Sequence, residues 1–129
     1  MLIGIVEDDP DLNELYRTGL LLAGHESRGW YNAVDALRDL LGLKLNREKL
    51  PEVVVVDLNL PGGIDGAELI KRLREEIAPQ EVQFVLMSGN DLAEQRLKER
   101  HILDVPFFKK TGLTPSALLK ECKKLAKAL

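Results

Sequence analysis

The stretch Glu52–Gly66, EVVVVDLNLPGGIDG, runs four valines into an aspartate and then into a loop carrying a proline and three glycines. β-branched residues favour strands, and a short apolar run closed by turn residues reads as one. EVVVVDL is the most strand-like part of the chain, and everything around it is read by its relation to this strand. Gly62, Gly63 and Gly66 punctuate the turn that follows, a helix is predicted from Gly66 to about Ile77, and VQFVLMS supplies the next strand.

Upstream, Leu2–Val6 reads as a first strand. A helix follows from Pro10 to about Ala23, with Asp9 placed to cap it, Pro10 in its first turn and Gly24 just past its end. Glu26–Tyr31 is a short second strand. Asn32 caps a helix to about Leu41, and Gly42–Pro51, GLKLNREKLP, makes a polar connection to the valine strand. Downstream, Asn90 caps a helix to about Arg100, Val105–Phe108 forms a short fifth strand, and Thr114 with Pro115 opens a last helix. In that helix Leu118, Leu119, Cys122, Leu125, Ala126 and Leu129 repeat at helical spacing, so Cys122 reads as core. Lys120, Glu121, Lys123, Lys124 and Lys127 take the opposite, solvated face.

Strands alternating with helices make an α/β fold. Right-handed crossovers imply a doubly wound parallel sheet of five strands in the order 2-1-3-4-5, whose ligand crevice lies at the carboxyl ends of the first and third strands. The 129 residues suit a single domain over 1–129. A hydrophobic fraction of 45% and a charged fraction of 30% are ordinary for a soluble globular protein. No apolar run approaches the roughly 20 residues of a membrane span, and the amino terminus lacks a signal-like block, so a cytoplasmic setting without membrane contact is expected. The lone Cys122 excludes an internal disulfide, and a net charge of -3 leaves no electrostatic footprint for direct nucleic acid binding.

The residues at the strand ends carry the chemistry: Glu7 and Asp8 after strand one, Asp57 after strand three, Ser88 after strand four, and Lys109 or Lys110 after strand five. Adjacent carboxylates raise each other's cost of ionisation, and a crowd of them invites a hard divalent cation such as Mg²⁺. A lysine and a hydroxyl close by would hold the oxygens of a transferred phosphoryl group, and a carboxylate can accept one as an acyl phosphate. Asp57 is the candidate nucleophile. Asp9 reads as a cap, Tyr16 and Trp30 as packing residues, and His25 and His101 as surface residues without metal-spaced partners.

IVEDD, VVVVDLNLPGGIDG, VLMSG and VPFFKKTG, in that order on successive βα units, resemble the response regulator receiver domain of two-component signalling over almost the whole chain. The resemblance implies a flavodoxin-like (βα)5 fold and a phosphoprotein switch. Glu7 and Asp8 resemble the acidic pair that holds Mg²⁺, and Asp57 resembles the phosphorylated aspartate and a further metal ligand. The backbone carbonyl of Asn59 would complete the protein's share of the ion's ligands. Ser88 resembles the hydroxyl residue that moves to bond the phosphoryl group, and Phe107 the aromatic switch that turns inward with it. PFFKK fits the family pattern with Lys110 as the phosphate contact; the other register would make it Lys109 and put the switch at Pro106, a poor swinging side chain.

By the same resemblance, the phosphoryl donor is a sensor histidine kinase or a histidine phosphotransfer protein. The output is a downstream protein target or an attached output domain, and a homodimer stays open. Such a domain loses its phosphoryl group by slow hydrolysis and is not a multiple-turnover enzyme. Three departures stand out: one extra residue in PGGIDG, Thr111 where the family usually has proline, and a long loop before strand three.

Three other functions compete. An aspartyl phosphatase of the haloacid dehalogenase type needs a second aspartate as general acid two residues after the nucleophile, where Asn59 stands. A flavodoxin-like cofactor binder would meet Glu7, Asp8 and Asp9 where it needs phosphate donors. A pseudo-receiver acting without phosphorylation is opposed by the intact acid, hydroxyl and lysine set.

Overall fold

The computed structural model of the chain describes residues 1–89 and 104–127. Its strands β1 (Leu2–Val6), β2 (Glu26–Trp30), β3 (Val53–Asp57), β4 (Gln83–Ser88) and β5 (Phe107–Lys109) form one sheet, all pairs parallel, in the order β2-β1-β3-β4-β5. The helices are α1 (Pro10–Leu22), α2 (Ala33–Leu45), α3 (Gly66–Arg74) and α4 (Pro115–Ala126). The valine run accounts for the centre of this sheet. Val54 stands between Gly4 of β1 and Phe84 of β4, and Val53 to Val56 are all 0% exposed.

Because successive strand residues point to opposite faces, the run feeds two cores. Val54 and Val56 join Leu40 of α2 and Ile70 and Leu73 of α3, whereas Val53 and Val55 join Tyr16 and Leu20 of α1 and Leu118 and Cys122 of α4. Each buried valine contributes about 1.5–3 kcal/mol relative to exposure, so a polar residue at any of the four would cost stability on one face or the other. The chain turns to the opposite side of β1 between β2 and β3. The carboxyl ends of β1 and β3 therefore diverge into a crevice.

Caps fall where the sequence places them. Asp9 Oδ1 accepts hydrogen bonds from the Asp11 and Leu12 amides, Asn32 Oδ1 from Asp35, and Thr114 Oγ1 from Ala117. Tyr16, Trp30 and Cys122 are packing residues as expected. Three boundaries differ by two residues or more. Helix α2 continues to Leu45, absorbing the start of the GLKLNREKLP connection, because Leu43 extends the buried stripe of Ala36 and Leu40 and Asn46 caps the end. Helix α3 stops at Arg74, although Ile77 stays buried and its amide still reaches the Leu73 carbonyl at 2.8 Å. Strand β5 starts at Phe107, since Pro106 has no N–H for the ladder and only accepts, from the Leu86 amide at 2.9 Å.

The helix predicted from Asn90 to Arg100, the surface reading of His101 and the Leu129 end of the last helix lie outside the described residues. Among the described residues no helix is long and apolar enough to cross a membrane.

Candidate functional site

At the end of β1 the chain leaves the sheet through Glu7, whose amide still donates to the Trp30 carbonyl at 3.0 Å and whose side chain is buried. Asp8 follows in the open, and Asp9 turns away to cap α1. Asp57 closes β3 and is 2% exposed; its Oδ1 accepts from the Asn59 amide at 3.0 Å, which folds the next loop back over the strand end. One carboxylate oxygen from each of Glu7, Asp8 and Asp57 lies within 4.8 Å of the others.

The lysine comes from the far edge. Beyond β5 the Lys110 amide donates to the Ser88 carbonyl at 2.9 Å, tying the two strand ends together. From there Lys110 Nζ reaches Glu7 Oε1 at 2.6 Å and Asp57 Oδ2 at 2.9 Å. Lys109 is paired by its backbone with Ser88 and is exposed, whereas the Lys110 side chain contacts both acids. The Lys110–Thr111 bond is trans, and the lysine reaches both carboxylates without the family's proline. Ser88 is buried at the end of β4, next to β3. Phe107 is half-buried against the α2–α3 core, while Phe108 faces the α1–α4 core.

The electrostatics follow from burial. Desolvation, reinforced by the Asp57 carboxylate alongside, pushes the Glu7 carboxyl up to about 8 despite the lysine. Burial alone would lower Lys110, but its hydrogen bonds to Glu7 and Asp57 outweigh that and hold its ammonium above the usual range. A single lysine therefore does not balance the three acids. Glu7 Oε2 is buried without a hydrogen-bond partner, which is costly for a carboxyl oxygen. An all-oxygen donor set with an orphaned buried oxygen fits a hard divalent cation.

Two residues matter to this edge in ways the sequence does not announce. Gly66 reads from the sequence as a turn residue and helix start, with no tie to Asp57. A Cβ there would come within 2.2 Å of the Asp57 carbonyl oxygen, so glycine is what lets the start of α3 pass directly behind the acid. Asn13, on α1, is 0% exposed and reaches the Glu7 carbonyl; an asparagine within an otherwise apolar helix face was the available signal. The extra residue in PGGIDG is taken up by Gly62 and Gly63, both with positive φ, 93° and 86°, and both exposed.

Comparison with known proteins bears on the fold and the family. The transcriptional regulatory protein AfsQ1 of Streptomyces coelicolor is 36% identical over 70 residues, which are 54% of this chain and 28% of that protein. The chain thus corresponds to well under half of that relative. A sensor protein from Polaromonas superposes with a TM-score of 0.79 at 25% identity, covering 98% of this chain and 96% of that one. A CheY-like receiver domain protein from Methanospirillum hungatei gives 0.79 at 20% identity, over 98% and 94%, a likeness of fold. The response regulator receiver domain model matches residues 3–114, and with the β2-β1-β3-β4-β5 sheet this makes the chain a member of the response regulator receiver domain family.

Proposed function

We propose that this receiver accepts a phosphoryl group on Asp57 from the phosphohistidine of a sensor kinase or phosphotransfer protein, with Mg²⁺ held by Glu7, Asp8, Asp57 and the Asn59 carbonyl. The observation that carries this reading is Lys110 Nζ seated between Glu7 and Asp57, 2.6 and 2.9 Å away, at the edge where Asp8 adds a third carboxylate. In the transfer an Asp57 oxygen bonds to phosphorus as the P–N bond breaks, and the histidine departs with its electron pair. In this reading the Lys110 ammonium and, once it has moved, the Ser88 hydroxyl hold the phosphoryl oxygens. Mg²⁺, when bound, supplies the positive charge that lets a dianion approach buried acids.

Phosphorylation then favours a second arrangement in which Ser88 and Phe107 move toward the phosphoryl group. The face formed by β5 and α4 is remodelled for a downstream protein target or an attached output domain. The shift is bounded by the difference in phosphoryl stabilisation between the two arrangements. Water later attacks the phosphorus and releases phosphate slowly, so the domain acts as a switch and not as a multiple-turnover enzyme. The single domain over 1–129 is the unit that carries this cycle.

Incubation with acetyl phosphate and Mg²⁺, read by mass spectrometry, tests the reading. The expected result is a metal-dependent gain of about 80 Da, one HPO₃, mapped to Asp57 and absent in Asp57→Asn. An unlabelled wild-type chain, or label that survives Asp57→Asn, would overturn it.

A further inference from the structure

We infer that Asn13 is a positioning residue for the acidic edge, its side-chain amide clamping the Glu7–Asp8 peptide and thereby setting how tightly the domain takes up a divalent cation. The inference rests on reading Glu7, Asp8 and Asp57 as a Mg²⁺ site. Three consecutive acids, Glu7, Asp8 and Asp9, repel one another, and something must hold their backbone together if they are to face one ion. The Asn13 side chain grips it just before Asp8. Its Nδ2 donates to the Glu7 carbonyl at 3.0 Å, while just after Asp8 the first backbone bond of α1, which any residue at position 13 would make, holds the Asp9 carbonyl at 2.9 Å.

The same Nδ2 also donates to the Trp30 carbonyl at 3.0 Å, which already accepts from the Glu7 amide, so the ends of β1 and β2 are locked to α1 at one point. On its other side Asn13 Oδ1 accepts from Arg17 Nε at 2.7 Å, and the same guanidinium donates to the Tyr31 hydroxyl at 3.2 Å. Two carbonyls facing one end of the amide and a guanidinium facing the other fix its orientation without ambiguity. An aspartate would keep the shape and the bond to Arg17 while turning an oxygen toward both carbonyls.

The neighbouring strand is shaped around this clamp. A Cβ at Gly29 would lie 2.5 Å from Asn13 Oδ1 and 2.6 Å from Arg17 Nε, so glycine in β2 leaves the space the pair occupies. Gly29→Ala therefore disturbs the clamp without touching any acid. Leu40, buried in the α2–α3 core, supplies a control that loses packing but makes none of these hydrogen bonds.

The test is calorimetric titration of Mg²⁺ into the whole chain, wild type against Asn13→Asp, Asn13→Ala, Gly29→Ala and Leu40→Ala. Groups that orient metal ligands are worth about 10–100-fold in affinity, so both Asn13 variants should bind at least about tenfold more weakly and Gly29→Ala should shift the same way. Saturating Mg²⁺ should restore acetyl phosphate labelling in the Asn13 variants, and Leu40→Ala, which only lowers stability, should stay within about twofold of wild-type affinity, which separates the clamp from general destabilisation. Should Asn13→Ala fail to fold, Asn13→Asp and Gly29→Ala decide. Wild-type affinity in those two, or an equal loss in Leu40→Ala, would overturn the role of Asn13 while leaving the metal site standing. A wild-type chain that takes up no Mg²⁺ would overturn the site reading itself and the inference with it.

Discussion

Replacing Glu7 with glutamine should make the metal-free domain more stable above neutral pH, the reverse of what loss of a buried charged partner usually does. In the unfolded chain Glu7 ionises near its model value of 4.5, whereas in the fold burial holds it protonated to about 8. Between those limits the native state carries a proton that the unfolded state has released. Unfolding therefore sheds a proton, and raising the pH favours it. Each pH unit across that window costs up to about 1.4 kcal/mol, and the full 4.5-to-8 span is worth on the order of 5 kcal/mol, a large share of the 5–15 kcal/mol typical of a domain.

Glutamine imitates the protonated acid: its oxygen can accept from Lys110, and it has no proton to lose. The assay is urea denaturation in EDTA at intervals from pH 5 to pH 8.5. Wild type and Glu7→Gln should nearly coincide at pH 5 and separate by several kcal/mol at the alkaline end, with glutamine the more stable. Added Mg²⁺ should then close the gap from the wild-type side, since a ligand bound only by the native state stabilises it by RT ln(1 + [L]/Kd). Parallel pH profiles for the two proteins in EDTA would refute the buried, proton-holding Glu7.

Other outcomes follow from the same geometry. Lys110→Ala should nearly abolish acetyl phosphate labelling and also cost about 3–5 kcal/mol, because it strands Asp57 as a buried carboxylate without its cation. Lys109→Ala, at an exposed site, should do neither, and equal effects in a paired labelling and denaturation experiment would overturn the register. Gly66→Ala, whose Cβ would press to 2.2 Å from the Asp57 carbonyl, should lower both the labelling rate and the unfolding midpoint. Cys122, fully buried with its thiol pushed up to about 12 by desolvation and the nearby Glu121, should react with a thiol reagent only as fast as the domain opens, as measured against added denaturant.

Much of the fold was legible because its signals are local. Four valines, Asp9 before Pro10 and Thr114 before Pro115 act within a few residues of themselves, and the strands and helix starts they announce are present. The errors lie where local signals compete with packing. Gly42 and the polar residues after it suggested a helix end, yet the buried side of Leu43 carries α2 on to Leu45. Val105 is apolar enough for a strand and is buried, but the missing N–H of Pro106 delays β5 to Phe107.

The sequence by itself determined the alternation of strands and helices, and it singled out which side chains could do phosphoryl chemistry, since hydrophobic period, cap and turn chemistry and residue type are written in short windows. Only the tertiary structure brings Lys110 against the acids, because Lys110 and Glu7 stand 103 positions apart and meet through the packing of β5 against β4 and β4 against β3. The same holds for the proton on Glu7 and the grip of Asn13. Both arise from burial among groups brought in by distant segments, and desolvation is a property of the assembled interior that no stretch of chain possesses alone.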